Sequence, residues 1–128
     1  MTTFACAVCG QPAGTVRPAA ADEAVDIGPP LSAQAIGSAG VVVSGFLGNG
    51  WYSLTQPQYR RLCVLLADEH PDPVALRVIR WEAAPFFCPD CQRSYCQTHW
   101  DLDVIVDEGF YDCTLGVCPS GHQVVVDD

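Results

Sequence analysis

The sequence predicts a small α+β fold, in which a β-hairpin and two helices accompany a cysteine-rich, ligand-bearing core. Three observations lead there. The chain has 128 residues, 49% of them apolar and 16% charged, which is one domain's length and a composition able to bury a core. Apolar residues alternate in some stretches and recur at helical spacing in others. Eight cysteines are present, and most fall into short-spaced pairs with one another or with histidine.

The elements follow in chain order. Residues 1–10 hold a C-x2-C turn, Cys6-Ala7-Val8-Cys9-Gly10. Of the 30 residues 11–40, 18 are Ala, Gly, Pro or Ser and none is aromatic, which predicts an irregular linker or surface loop. Its acidic run, Asp22 to Asp26, is expected to be solvated. Residues 41–84 read as a hairpin and two helices, inserted beside the core. Val41 to Leu47 and Trp51 to Leu54 are the strands, and Gly48-Asn49-Gly50 is the expected turn. Thr55 with Gln58 forms a capping box, and Leu54 and Tyr59 stand at staple positions. Tyr59, Leu62, Cys63 and Leu66 then make one apolar helix face, which is expected to stop near Asp68-Glu69-His70-Pro71. Asp72-Pro73 starts a second helix running towards Ala84 and ended by Pro85. His70 is expected to sit at a helix C-terminus, interacting with the dipole. Residues 85–128 form the main core, packing with 1–10. There Leu102, Val104 and Val106 alternate, Asp107-Glu108-Gly109 turns, Phe110 to Thr114 pairs back, and Val124-Val125-Val126 is a last strand.

Charge narrows the function. The formal net charge is −9. All six basic residues are arginines, namely 17, 60, 61, 77, 80 and 93. Without a basic stripe, neither sequence-independent nucleic-acid binding nor an anionic membrane surface is expected as a partner. No lysine is available for a Schiff base or a P-loop. The N-terminus lacks the cationic and apolar stretches of a secretory signal, and no stretch reaches the ~20 apolar residues of a span. A soluble cytoplasmic protein is expected, and in that compartment clustered cysteines point to metal before disulfides.

Four pairs carry the chemistry: Cys6-x2-Cys9, Cys88-x2-Cys91, Cys96-x2-His99 and Cys118-x3-His122. Each clamps one ion from a tight turn whose backbone N–H groups face the sulfurs. Pro89, Pro119 and Gly121 favour such turns. Four bidentate pairs make eight ligands, enough for two closed Cys3His sites. Closed four-ligand nitrogen and sulfur sites are those of structural zinc, whereas catalytic zinc keeps a position open. Two cysteines fall outside the pairs. Cys63 reads as a core thiol. Cys113 is an alternative to His122, through Cys113-x4-Cys118, although Cys118-Pro-Ser-Gly-His122 is the tighter, more turn-like unit.

The string C-x2-C-x4-C-x2-H, from Cys88 to His99, resembles the second and third ligand pairs of the treble-clef and cross-brace zinc fingers, such as FYVE, B-box and RING-like domains. In those families pairs one and three share an ion, as do pairs two and four. The resemblance therefore implies one zinc on Cys6, Cys9, Cys96 and His99, and a second on Cys88, Cys91, Cys118 and His122. Spacing by itself leaves interleaved and sequential pairing open. The families have a short loop where this chain has about 78 residues between pairs one and two.

Two closed ligand sets, an acidic charge balance and the lack of a catalytic constellation point to a zinc-binding, non-enzymatic protein-interaction or adaptor module with a protein partner. The FYVE basic motif has no counterpart in Gln92-Arg93-Ser94-Tyr95. Val8 and Pro119 are similar to the apolar and proline positions of RING knuckles. The alternative is therefore a RING-like ubiquitin-type ligase that recruits a conjugating enzyme. No Ser-His or paired-carboxylate arrangement stands out as catalytic. Two exposed neighbours among Trp81, Phe86, Phe87, Tyr95, Trp100, Phe110 and Tyr111 would make an interaction patch.

Overall fold

The structure is a computed structural model, and it describes residues 1–25, 34–35 and 38–128. The described residues form a mainly β arrangement of eleven strands and two α-helices. Strands β1 (Thr2–Ala5), β2 (Pro12–Ala19), β3 (Ala24–Val25), β4 (Gln34–Ala35), β5 (Gly40–Gly45) and β6 (Gly48–Ser53) precede helices α1 (Gln56–Leu66) and α2 (Pro73–Ile79). Strands β7 (Phe87–Cys88), β8 (Arg93–Ser94), β9 (Asp101–Asp107), β10 (Phe110–Val117) and β11 (Gln123–Asp127) complete the fold. The mixed α+β class is that of the sequence reading. Among the described residues no helix is long and apolar enough to cross a membrane.

The first sheet has the order β1-β2-β5-β6 and every neighbouring pair is antiparallel. β5 lies inside it, and Gly40 to Val43 are all buried, as expected of a strand covered on both faces. Val41 and Val43 join a core with Phe4, Val16, Leu62, Leu76 and Phe86. Val42 faces the other way, against Ala19, Val25 and Trp51. The hairpin expected in a separate insertion thus belongs to the same sheet as the N-terminal segment.

Part of the expected linker is the strand β2, which overturns the irregular reading for residues 12–19. Its prolines fall where a strand tolerates them. Pro12 opens β2, and Pro18 lies past Val16, the residue paired with the end of β1. Gly14 is required: a Cβ there would come within 2.6 Å of Phe86. Residues 26–33 and 36–37 of that expected linker lie outside the described residues.

Two further boundaries differ. The β5–β6 turn is Phe46-Leu47, with Gly45 paired to Gly48, rather than Gly48-Asn49-Gly50. Gly48 alone of the three has a positive φ, +89°, so the left-handed residue follows a two-residue turn and Asn49 and Gly50 join β6. α2 ends at Ile79, because Arg80 is extended (φ −160°, ψ 126°) and only a single 3-10 turn, Trp81–Ala83, follows. Arg80 in that conformation donates to the Ser53 carbonyl and pairs with Glu82.

α1 begins as its sequence dictates. The Thr55 hydroxyl accepts from the Gln58 amide, and the Gln58 side chain accepts from the Thr55 amide. Leu62 is fully buried, while Tyr59 and Leu66 pack beside it. The helix stops at Leu66 with Ala67 as its cap. His70 therefore lies beyond the last turn, its amide held by the Asp68 carboxylate, and it does not serve the helix dipole. α2 is capped by Asp72 with Pro73 in its first turn.

The second sheet, β11-β10-β9, forms from the expected C-terminal strands. Its β9–β10 turn is Glu108-Gly109, with φ of +51° and +84°, the two left-handed residues that match the twist of a two-residue hairpin. Val124 and Val126 close a second core with Tyr95, Trp100 and four cysteines.

Candidate metal centres

All four pairs sit in turns that point their donors inward. Cys6 ends the approach from β1, and its carbonyl accepts from Gly10 at 2.9 Å. Cys88 ends β7 and Cys91 lies in the β7–β8 turn, which the Cys88–Arg93 pair closes. Cys96 accepts from the amides of His99 and Trp100 around one 3-10 turn. Cys118 and His122 face each other across the β10–β11 turn, whose Gly121 has φ +90°. None of these eight residues lies on an α-helix.

The turns meet in two groups. Cys6, Cys9, Cys96 and His99 have all their donor atoms within 4.8 Å of one another, and so do Cys88, Cys91, Cys118 and His122. We call them cluster one and cluster two. In cluster one Cys9 Sγ lies 3.6 Å from Cys96 Sγ, and His99 Nδ1 lies 3.5 Å and 3.3 Å from the sulfurs of Cys6 and Cys96. In cluster two Cys91 Sγ is 3.8 Å from Cys118 Sγ, and His122 Nδ1 is 3.9 Å and 3.4 Å from Cys88 and Cys118. A tetrahedron with zinc–sulfur bonds of ~2.3 Å has edges of about 3.8 Å. These separations fit that edge and are far too long for disulfides, and all eight cysteines are free.

Electrostatics separates the clusters. At Cys6, burial raises the thiol, but amide donation from Cys9, Cys96 and Val8 outweighs it and brings the pKa down to about 6. Cys96 is also lowered, first by His99. Cys9 rises overall: the Gln11 amide lowers it, but desolvation and the neighbouring thiols prevail. In cluster two, desolvation pushes Cys88 up to about 11 despite the Cys91 and Asp90 amides. Cys118 also meets desolvation, but the His122 and Ser120 amides bring it to about 7. Both histidines are raised, His99 foremost by Cys96 and His122 foremost by Cys91.

A residue the spacing did not reveal connects the clusters. Tyr95 adjoins Cys96 in sequence, yet its hydroxyl lies 3.1 Å from Cys91 Sγ of cluster two. The ring is buried, edge-on to Trp100 at 5.9 Å. A buried tyrosine needs a hydroxyl partner, and a thiolate is a strong one, so Tyr95 orients a candidate ligand. Its thiol partner in turn pushes Tyr95 up to about 12. The only sequence signal was a tyrosine between two ligand cysteines.

Cys113 lies outside both groups: it pairs with Ile105 in the middle of β10, while His122 stands beside Cys118. Cys63 is half-buried on α1. Of the seven aromatics singled out in the sequence, Phe86, Phe87, Tyr95 and Trp100 are buried, and Phe110 and Tyr111, consecutive on β10, are exposed.

No curated protein and no solved structure matches the chain. A family model described as a domain of unknown function, DUF8328, matches residues 1–128, so the chain belongs to that family.

Proposed function

We propose that this chain is a non-enzymatic adaptor that binds a protein partner, its C-terminal half held by two structural Zn²⁺ ions in a cross-brace. The observation that carries the zinc reading is the pair of Cys3His groups spaced at tetrahedral edges. Cys6, Cys9, Cys96 and His99 would hold one ion, and Cys88, Cys91, Cys118 and His122 the other. The metal would supply folding energy, on the order of 10 kcal/mol or more per structural site. Four protein donors fill a tetrahedral zinc and leave no position for a reacting water. The interleaving of pairs one and three with two and four supports the cross-brace over a sequential arrangement. Free thiols fit a reducing compartment, and we place the protein in the cytoplasm.

The adaptor role rests on Phe110 and Tyr111, both exposed at the start of β10 by the hairpin turn, because aromatics dominate interaction hot spots. A ligase reading draws on the exposure of Val8, 56%, and of Pro119 at knuckle tips. The test has two arms. Native mass spectrometry should show two zinc masses that acid removes, and chelation should abolish the dispersed amide spectrum of residues 86–126. One ion, or a dispersed apo spectrum, overturns the structural-zinc reading. Accelerated discharge of a ubiquitin-like modifier from its conjugating enzyme, dependent on metal and on Val8, would replace the adaptor by the ligase.

A further inference from the structure

Two surfaces of the chain are complementary to each other. The first is a groove between the helices, lined by Arg60, Arg61, Val64 and Leu65 of α1 and Ala75, Val78 and Ile79 of α2. Its volume is about 580 Å³, within the ~300–1,000 Å³ of clefts that bury whole ligands. Val64 and Val78 are each 76% exposed. They point away from the core face of Leu62 and Leu76, so the fold itself does not need them apolar. Arg60 and Arg61 are exposed, and among the described residues neither makes an ion pair. The groove is an apolar floor with a cationic rim, on a chain of net charge −9.

The second surface is the β9–β10 hairpin. Its tip carries Phe110, 78% exposed and paired with Asp107, followed by the exposed cross-strand pair Val106 (59%) and Tyr111 (49%). Asp107 pairs with Phe110, Glu108 stands in the turn and Asp112 follows Tyr111, and no Lys or Arg follows Arg93 in the chain. An acidic turn that presents an aromatic ring has the chemistry an Arg-rimmed apolar groove accepts.

We propose that the β9–β10 tip of one copy docks into the α1–α2 groove of a second copy. Phe110 enters between Val64 and Val78, while Asp107 and Glu108 meet Arg60 and Arg61. The two contacting surfaces differ, so the association is head to tail, and each complex keeps one free groove and one free tip. The like net charges repel at long range. That repulsion is screened beyond ~8 Å at physiological ionic strength, whereas the docked charges lie closer than that. The proposal rests on the adaptor reading and names its surface.

The test uses the full zinc-loaded chain in sedimentation equilibrium over a concentration series. The wild type should show a mass that rises above 13.7 kDa with concentration. Val78→Asp breaks the groove and Phe110→Ser breaks the tip; each should weaken association at least tenfold while keeping two metals. An equimolar mixture of the two should form a one-to-one dimer and nothing larger, because one variant keeps its tip and the other its groove. A wild type that stays monomeric, a variant that associates like wild type, or a mixture that stays monomeric overturns the proposal. If Val78→Asp loses its metals, Arg61→Glu serves instead: it should weaken association, and Glu108→Arg in the same chain should restore it. Failure to restore overturns the proposal. Metal content is read in every sample, so a monomeric chain with two zincs counts against docking alone, and a chain without zinc counts against the adaptor's metal core.

Discussion

The two clusters have the same set of candidate ligands and different surroundings. Cluster one joins segments 90 residues apart, and its Cys9 is exposed. Cluster two draws on residues 88–122 alone, and its Cys88 is fully buried in the second core. Long loops cost more entropy to close, which would favour cluster one as the larger stabiliser. Here that closure is already made outside the metal cluster, because Phe4 packs on Phe86 and the Ala7 amide donates to the Ser94 carbonyl. Cluster one therefore reinforces a connection that exists, while cluster two joins residues 88–122 among themselves, its Cys88 and Cys118 sharing the second core with Cys6 and Cys96 of cluster one. Identical ligands do not imply equal structural weight.

The largest expected effect breaks that comparison outright. Cys88→Ala should lose one metal together with the dispersed amide signals of residues 86–126. Cys9→Ala should also lose one metal, but its changes should stay near residues 5–11 and 96–99. Two-dimensional amide spectra of both variants, with metal counted by native mass spectrometry, decide the matter. Equal collapse in both would show that the Phe4 and Ala7 contacts do not hold the N-terminal knuckle by themselves.

A smaller effect separates the clusters by acid. A metal must displace whatever proton its ligand holds, so affinity falls tenfold per pH unit for each proton displaced. Cys6, lowered to about 6, is already a thiolate at pH 7, whereas Cys88, raised to about 11, is not. Cluster two thus loses affinity throughout a fall from pH 8 to 6. Cluster one also has a raised thiol, Cys9, and loses affinity with it, but its lowered Cys6 takes up a proton only near pH 6, whereas the lowered Cys118 of cluster two does so already near 7. Acid titration followed by cobalt-substituted absorbance should show two steps, cluster two releasing first. Tyr95→Phe removes a donor to Cys91 and should shift that first step alone, with about a tenfold loss of affinity. A single step, or a shift in the second, would contradict the assignment.

These contrasts show which parts were legible in the sequence. The eight candidate donors were, because short-spaced Cys and His pairs mark them, but which pairs meet in space was not. Also legible were the Thr55 capping box and the Glu108-Gly109 turn, which are local chemistry. β2 was hidden because Pro12, Gly14, Pro18 and the alanines are breakers locally. They are tolerated because β5 supplies the ladder and Phe86 needs the space above Gly14. The end of α2 was hidden because Arg80 leaves the helix for a partner 27 residues away, Ser53. Tyr95 could be seen as a buried ring but not as a partner of Cys91. What escaped the sequence was settled by contacts between distant segments.

The smallest effect compares the two cysteine knuckles directly. In each, the residue after the second cysteine has a left-handed backbone: Gly10 with φ +74° and Gln92 with φ +55°. A Cβ at Gly10 would meet nothing within 4 Å, so conformation alone sets the cost there. Gly10→Ala should destabilise the zinc-loaded protein by about 1 kcal/mol. Gln92 already bears that strain in cluster two. Gln92→Gly should relieve it, less the backbone entropy glycine loses on folding, for a net gain below about 1 kcal/mol. Thermal melts of the holo forms should move in opposite directions by a few degrees at most. If Gln92→Gly lowers the melting temperature as much as Gly10→Ala does, the Gln92 side chain makes a contact worth more than its strain, and the two knuckles are not equivalent turns.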